Sequence, residues 1–300
     1  MTRTNALTTA KRIRRQLGSN HRMEQNTLLG VIDSSVTTFQ FGTQMPPAVV
    51  TGAILGIELE LMRVVSADTG TNTVTVMRGA ADSEPAGHGA GTIIDIAPRF
   101  PLMDVFDAML TEIDSWGRDL YWMDSDTFTV AAAAQTLELL SSWSDIYGVI
   151  DVMQSELQTT ESVWPRVKSK LIRGDAVGFD GAPTSGMLLR FLEPIRSGQV
   201  YVKVAHPFST DGLTAASDLV DDVHLSVSML DVLELGTRIR LVMNDDDTRT
   251  GRGAQDEPRR AEETPLGSMV SLSQLRLARY TRRKADEMSR LRTLYPIRMS

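Results

Sequence analysis

Histidines and a run of aspartates are the residues of this chain whose types could support catalysis or metal binding. The triple aspartate Asp245–Asp247 invites a calcium interpretation, but no glycine-centred loop with a closing glutamate follows it, so a solvated helix end is favoured. The chain has no cysteine, which excludes disulfides, thiolate zinc sites and thiol catalysis. The four histidines lie far apart in the sequence: His21, His88, His206 and His224.

Recognisable catalytic motifs are missing from the sequence. We find no paired carboxylates, nucleophile elbow, phosphate-binding loop or histidine-rich metal set. Catalytic residues can converge from distant positions in a chain, so this search does not exclude an enzyme on its own. We nevertheless expect no enzyme, no cofactor and no metal site.

The segment around His88 has the clearest local pattern. Two alternating apolar runs, Glu60–Ser66 and Thr73–Met77, are joined by a turn rich in Asp, Gly and Asn, which predicts a hairpin. Ile93–Ile96 would return as a third strand, so the unit is interpreted as a small meander. We expect the His88 side chain to stabilise its turn by bonding local backbone, and Arg78 to tie loop carbonyls or a neighbouring subunit.

This hairpin, its Arg78-Gly79 exit, the His88-Gly89-Ala90-Gly91 return and the Pro-Arg-Phe-Pro end resemble a module of tailed-phage structural proteins. The resemblance covers roughly residues 57–101 and points to head-to-tail connector (neck) or minor tail proteins of actinobacterial phages. It implies a virion component that docks onto other proteins, and it carries no catalytic motif.

Composition and charge limit the class of protein. Three hundred residues with 42% hydrophobic content are enough for two or three domains with real cores. The most apolar region, residues 48–65, is interrupted by charged residues, so we expect neither a membrane span nor a signal peptide.

Charge is distributed unevenly along the chain. Residues 1–22 and 266–300 each carry a net charge of +6. Since the whole chain carries −7, residues 23–265 carry −19. Basic ends flanking an acidic body are suited to docking onto acidic neighbours. Nucleic acid is the competing partner for these ends, and a solvated helix face is the simplest alternative.

Periodicity along the chain predicts an α+β, mainly β protein with an N-terminal small antiparallel β-barrel and a central antiparallel β-sandwich. Connecting helices and a C-terminal basic helix on a linker complete it. The predicted segments are a basic arm or short helix (1–26), the barrel (27–101), a connecting helix (102–123), the sandwich (124–210), a helical region (211–247), the linker (248–265) and the basic helix (266–300).

The predicted sandwich has six candidate strands and three aromatic residues of interest. Trp143, Trp164 and Tyr201 are side chains that a glycan-binding platform would need, although packing in a core or interface is their commoner use. The strands are 128–130, 136–140, 146–153, 163–172, 187–192 and 199–205.

The C-terminal helix has an apolar stripe between arginines, and on an eighteen-residue tether it would reach beyond its own domain. We therefore predict that it docks on a neighbouring copy, a portal or a tail protein. The predicted docking residues, from both basic ends, are Arg12, Arg15, Arg276, Arg279, Tyr280, Arg282, Arg283, Met288 and Leu291.

The sequence thus favours a structural subunit of a phage virion, assembled in the host cytoplasm. The leading hypothesis is a neck ring protein joining portal to tail as a homo-oligomer, with contact to packaged DNA left open and no membrane partner. The alternative is a minor tail or baseplate protein whose β-sandwich binds glycans during host contact.

Overall fold

A computed structural model describes residues 4–17, 24–155, 164–173, 187–256 and 268–297, without the side chains of 244–256 and 268–273. Within this part the chain forms twelve strands and four α-helices, and every strand pair is antiparallel. The predicted α+β, mainly β class is confirmed. The chain divides into unit 1, residues 1–113 and 210–281, and unit 2, residues 114–209 and 282–300.

Unit 1 contains one curled six-stranded sheet with the order β1-β6-β3-β4-β5-β2. Its outermost strands approach each other beyond their ends, where Leu28 bridges Phe41 and the Gly42 N–H donates to the Thr27 carbonyl at 2.7 Å. Alternating apolar residues of five of the six strands, all except the polar β1, fill the inside of the curl. The strands are β1 (Glu24–Thr27), β2 (Thr38–Gln40), β3 (Ile54–Ile57), β4 (Glu60–Asp68), β5 (Thr73–Met77) and β6 (Ile93–Ile96).

The predicted β4–β5 hairpin is confirmed, but the predicted meander is wrong. Val64 lies opposite Val76, and Asp68 Oδ1 accepts the Gly70 N–H at 2.9 Å in the turn. The third strand occupies the predicted residues, yet β6 pairs with β1 and β3. Since β2 already pairs with the other side of β5, the chain after Arg78 crosses the sheet to the position between β1 and β3.

Helix α1 (Ala6–Leu17) is not a free arm, so of the two alternatives predicted for the first segment the short helix is confirmed. Ala6, Ala10 and Ile13 are fully buried, and the helix packs on a later helix, α3 (Val227–Asp256). The Ala6 N–H also donates to the Ser217 carbonyl at 2.9 Å. A short helix that is marginal alone is here stabilised by tertiary burial.

Three longer helices follow, and two of the predicted boundaries between elements are wrong. Helix α2 (Leu102–Asp114) ends well before residue 123 because Gly117 adopts a positive φ and a strand begins at Trp122. Helix α3 (Val227–Asp256) continues through the predicted stop at residues 244–247 and through half of the predicted linker. Helix α4 (Ser268–Leu294) contributes residues to 281 to unit 1 and the remainder to unit 2.

The remaining predicted linker residues, 257–265, lie outside the described part of the chain. The continuation of α3 has a physical reason. Asp and Gly each cost only about 0.5–1 kcal/mol in a helix interior, too little to stop a helix that is already nucleated and anchored by burial.

Unit 2 contains two three-stranded sheets, β7-β12-β9 and β10-β11-β8, which share one cluster of buried residues. All six predicted strands exist, although β10 begins at Ser169 and residue 163 lies outside the described residues. The strands are β7 (Trp122–Val130), β8 (Thr136–Glu138), β9 (Gly148–Gln154), β10 (Ser169–Arg173), β11 (Met187–Phe191) and β12 (Gly198–His206).

Candidate functional site

Four of the nine predicted docking residues are exposed arginines available for a partner. Arg15 lies on α1, and Arg276, Arg279 and Arg282 lie on α4. None of the four has a hydrogen bond or ion pair to another described residue. Exposed guanidinium groups without an internal partner are suited to bidentate contacts with carboxylates or phosphates of another molecule.

The other five predicted docking residues are partly or wholly used inside their own unit. In unit 1, Arg12 pairs with Glu234 and the Tyr280 hydroxyl donates to Glu112. In unit 2, Arg283 pairs with Glu287 at 2.9 Å, Met288 is half-buried, and Leu291 is only 4% exposed. The expectation that the apolar stripe of the C-terminal helix packs on another molecule is therefore wrong for Met288 and Leu291.

Arg238 of α3 lies close enough to Arg276 and Arg279 of α4, within unit 1, to be affected by their charges. Burial lowers the pKa of Arg238, and the neighbouring charges of Arg279 and Arg276 lower it further. Glu234 and Asp231 act in the opposite direction. The two carboxylates offset part of the repulsion, and three guanidinium groups beside two carboxylates leave one positive charge that would attract an anionic partner.

Glu112 holds the helices of unit 1 together, and sequence reasoning missed it. Its carboxylate is almost fully buried and accepts hydrogen bonds from Arg240 Nε, at 2.6 Å, and from the Tyr280 hydroxyl. Gly236 of α3 lies directly against it, and a Cβ at that position would overlap the Glu112 carboxylate. The available signal was an acidic residue between Met109 and Ile113 on the apolar face of α2.

A second buried polar cluster, formed by Glu60, Arg78 and His88, lies at the exit of the hairpin. Arg78 forms a bidentate pair with Glu60 at 2.6 and 2.7 Å. The prediction that Arg78 ties loop carbonyls is confirmed, because it also donates to the Asp33, Val36 and Ala86 carbonyls at 2.6–2.8 Å. No sequence pattern indicated that Glu60, 18 positions earlier, is its principal partner.

His88 belongs to the same cluster, and its predicted bond to local backbone is wrong. Its Nε2 lies 2.9 Å from Glu60 Oε2, and its Nδ1 lies 3.4 Å from Glu58 Oε2. Burial alone would raise the pKa of Glu60, but bonds from Arg78, His88 and the Ala86 N–H, with the Arg78 charge, lower it to about 2. These charge-assisted hydrogen bonds of Glu60, Arg78 and His88, which we call the clasp, fix the loop between β5 and β6.

The three aromatic residues considered for glycan binding have different environments. Trp143 is buried in the core of unit 2, with its Nε1 donating to Asp124 Oδ2 at 2.8 Å. Trp164 and Tyr201 are partly exposed, and their rings meet edge to face at 6.3 Å. Trp143 is therefore inaccessible to a glycan, whereas Trp164 and Tyr201 lie together on the surface.

Metal-binding clusters and membrane-spanning helices are both missing from the described residues. Within them, no group of three or more His, Asp or Glu side chains is arranged to hold a metal ion. No described helix is long and apolar enough to cross a membrane. The side chains of Asp245–Asp247 lie outside the described part of the chain.

Comparison with known proteins adds no family to this picture. No protein-family model matches the chain, and no curated protein matches it significantly.

Proposed function

We propose that the chain is a structural subunit of a tailed-phage virion, a neck ring protein that joins portal to tail by protein–protein docking. The observation that carries this proposal is the row of exposed arginines on α4, Arg276, Arg279 and Arg282, which have no partner among the described residues. The resemblance of residues 57–101 to neck and tail modules supplies the biological setting.

In this proposal the partners are other copies of the chain and portal or tail proteins. The body of each copy, residues 23–265, carries −19, so a neighbour offers abundant carboxylates to the α4 arginines. Packaged DNA is the other anionic surface within reach of a neck protein. The subunit would assemble in the host cytoplasm and remain in the virion.

Two rigid scaffolds would present these arginines. The curled sheet of unit 1 would act as a small closed β-barrel, because its outer strands approach each other at the Leu28–Phe41 bridge. The two sheets of unit 2 would act as a β-sandwich around their shared core. Neither scaffold needs a cofactor to serve this role.

Charge reversal of the α4 arginines tests the docking mechanism. The triple variant R276E/R279E/R282E should abolish ring formation at physiological salt, because it replaces attraction to carboxylates by repulsion. Native mass spectrometry and sedimentation would measure the assembly state. A matched control, R63E/K170E/R190E, reverses three exposed cations on strands and should still assemble. Normal rings from the α4 variant would contradict the docking mechanism.

An electron-microscopy reconstruction of the virion that carries the chain tests the location. A neck subunit should appear between portal and tail in rings of about twelve or six copies, whereas a tip protein most often appears in threes. Density at the distal end of the tail would replace the neck proposal with its alternative.

The alternative function is a minor tail or baseplate protein that contacts host glycans. It is favoured by one specific observation, the partly exposed contact between Trp164 and Tyr201 on unit 2. Under this alternative, W164A and Y201A should reduce adsorption to cells while particles still assemble. Under the neck proposal, the same substitutions should leave adsorption unchanged.

A further inference from the structure

A groove of about 220 Å³ on unit 2 combines aromatic and charged side chains in a way that neither packing nor docking requires. It lies along β9 and β12 beside the end of α4. Its walls include Asp151 and Met153 of β9, Tyr201 and Lys203 of β12, Arg166, and Tyr295.

The aromatic part of the groove comes from the outward face of β12. Tyr201 and Lys203 are two positions apart and therefore share that face, and Met153 lies opposite Tyr201 on β9. The Trp164 ring meets the edge of the Tyr201 ring from the side. Partly exposed tyrosine and tryptophan rings offer a flat apolar surface with polar edges, which suits the C–H face of a sugar ring.

The aromatic wall on the other side is held in place. The backbone carbonyl of Tyr295 accepts a hydrogen bond from the Tyr121 hydroxyl at 2.6 Å. Lys203 Nζ lies 4.4 Å from the centre of the Tyr295 ring. The Tyr295 side of the groove is thus anchored, which reduces the free energy that a ligand would lose in ordering it.

The charged part of the groove has a net positive charge. Asp151 and Arg166 form an ion pair at 3.2 Å, so their charges largely cancel, and the exposed Arg166 guanidinium can also donate to hydroxyl groups. Lys203 has no hydrogen bond or ion pair to another described residue and contributes the unbalanced +1. An anionic group on the ligand would find its partner in this ammonium group.

We propose that this groove binds a single hexuronate residue, a pyranose ring that carries a carboxylate. The ring packs on Tyr201 beside Trp164, the carboxylate pairs with Lys203, and the hydroxyls accept from the exposed Arg166. The volume is below the usual 300–1,000 Å³ of ligand pockets, which favours one enclosed ring with any further sugars outside. The inference deepens the alternative host-contact function and rests on it for its biological meaning.

Tryptophan indole signals provide a direct test with the full chain and D-glucuronate. The protein has four tryptophans, of which Trp116 and Trp143 are buried and serve as internal controls. In ¹⁵N-tryptophan spectra, glucuronate should shift the Trp164 indole signal, which W164F would assign by its loss, and should leave those of Trp116 and Trp143 in place.

Two lysine variants test the charge recognition. K203Q should weaken glucuronate binding by about tenfold or more and leave the weaker binding of D-glucose unchanged. The control K168Q removes the charge of an exposed lysine that pairs with Glu193 elsewhere on unit 2, and it should bind like the wild type. Circular dichroism would show that each variant is folded.

Several outcomes would overturn the proposal. They are the absence of a Trp164 shift with glucuronate, equal binding of glucose and glucuronate, or unchanged glucuronate binding by folded K203Q. Adsorption distinguishes this inference from the function on which it rests. If W164A loses adsorption but the wild type does not bind glucuronate, the host-contact function stands and the hexuronate is rejected. If the wild type binds glucuronate but W164A adsorbs normally, the binding site stands and the host-contact function is rejected.

Discussion

Glu60, Arg78 and His88 illustrate how single residues of this chain are matched over long sequence distances. The Glu60 carboxylate is 1% exposed and would be costly to bury alone. It is compensated by the bidentate Arg78, by His88 and by the Ala86 N–H, which together lower its pKa to about 2. The loop between β5 and β6 is therefore fastened by a charge that must remain ionised.

We predict that this clasp makes the protein sensitive to acid. The pKa of Glu60 is about 2 in the folded chain, against an ordinary value of 4.5 that applies once the chain unfolds. Its stabilisation is therefore complete above about pH 4.5 and disappears as the pH falls towards 2. The size of this contribution is roughly 3 kcal/mol. Urea unfolding of the wild type and E60Q across this range would measure it.

The E60Q variant should already be destabilised at neutral pH, by about 3–5 kcal/mol, because it leaves Arg78 buried without a counter-charge. Between pH 4.5 and 2 it should lose less stability than the wild type. E58Q is the matched control, since Glu58 is nearby but 44% exposed, and its effect should be small. Parallel pH profiles for the wild type and E60Q would show that the clasp does not stabilise the fold.

The sequence predicted the elements around this cluster that are close together in the chain. The hairpin, the Arg78 exit and the returning strand follow from alternation and turn residues that lie close together in the chain. The partnership with Glu60 depends on where β4 and the loop meet in the folded sheet. No short-range pattern encodes that meeting, so a turn role for His88 was the simplest prediction.

At the scale of elements, the helices of unit 1 meet around a carboxylate in an otherwise apolar setting. Glu112 of α2 is joined to α3 through Arg240 and to α4 through Tyr280. Gly236 permits this approach because α3 has no side chain where the carboxylate lies. Such a cluster specifies one relative position of three helices, since each donor must reach the same two oxygens.

We predict that G236A separates these helices. The added Cβ would overlap Glu112 and force the carboxylate or α3 to move, at a cost of roughly 1–3 kcal/mol despite the better helix propensity of Ala. Thermal melting would measure the loss. The control is G30A, because no atom lies within 4 Å of a Cβ at Gly30. A G236A protein as stable as the wild type would contradict the close approach.

Element boundaries were less predictable than element types. The six strands of unit 2 follow from apolar runs between turn residues, the β4–β5 hairpin from period-two alternation, and α4 from its 3.6-residue stripe. The end of α3 was misplaced because its aspartates look like a stop, whereas the helix is held further upstream by buried Val232, Leu233 and Ile239. Tertiary burial outweighed the local signal there, and also in α1.

At the scale of the whole molecule, the basic C-terminal helix has two roles that the sequence did not separate. Its apolar and hydroxyl groups, Tyr280 in unit 1 and Leu291 in unit 2, complete the cores of their own units. Its exposed arginines remain for partners. A stripe of apolar residues between arginines predicts that a helix will be buried, but it does not say against which surface.

This division changes what is expected from a chain truncated after Pro265. If the C-terminal helix docked only on a partner, as the sequence predicts, its removal would leave the melting of the β domains unchanged. In the structure, truncation exposes the buried surroundings of Leu291 and removes the Tyr280 hydroxyl from Glu112. These losses should cost roughly 1.5–3 kcal/mol each, so we predict a clearly lower melting temperature.

The full-length variant R276E/R279E/R282E separates the two roles, because it keeps every buried contact of α4 and reverses only exposed charges. It should melt within a few degrees of the wild type and yet fail to assemble, whereas the truncated chain should lose both properties. Calorimetry and native mass spectrometry on the same three proteins would give both readouts. A truncated chain that melts like the wild type would show that α4 contributes nothing to its own units, and its apolar stripe would then belong to a partner, as the sequence first indicated.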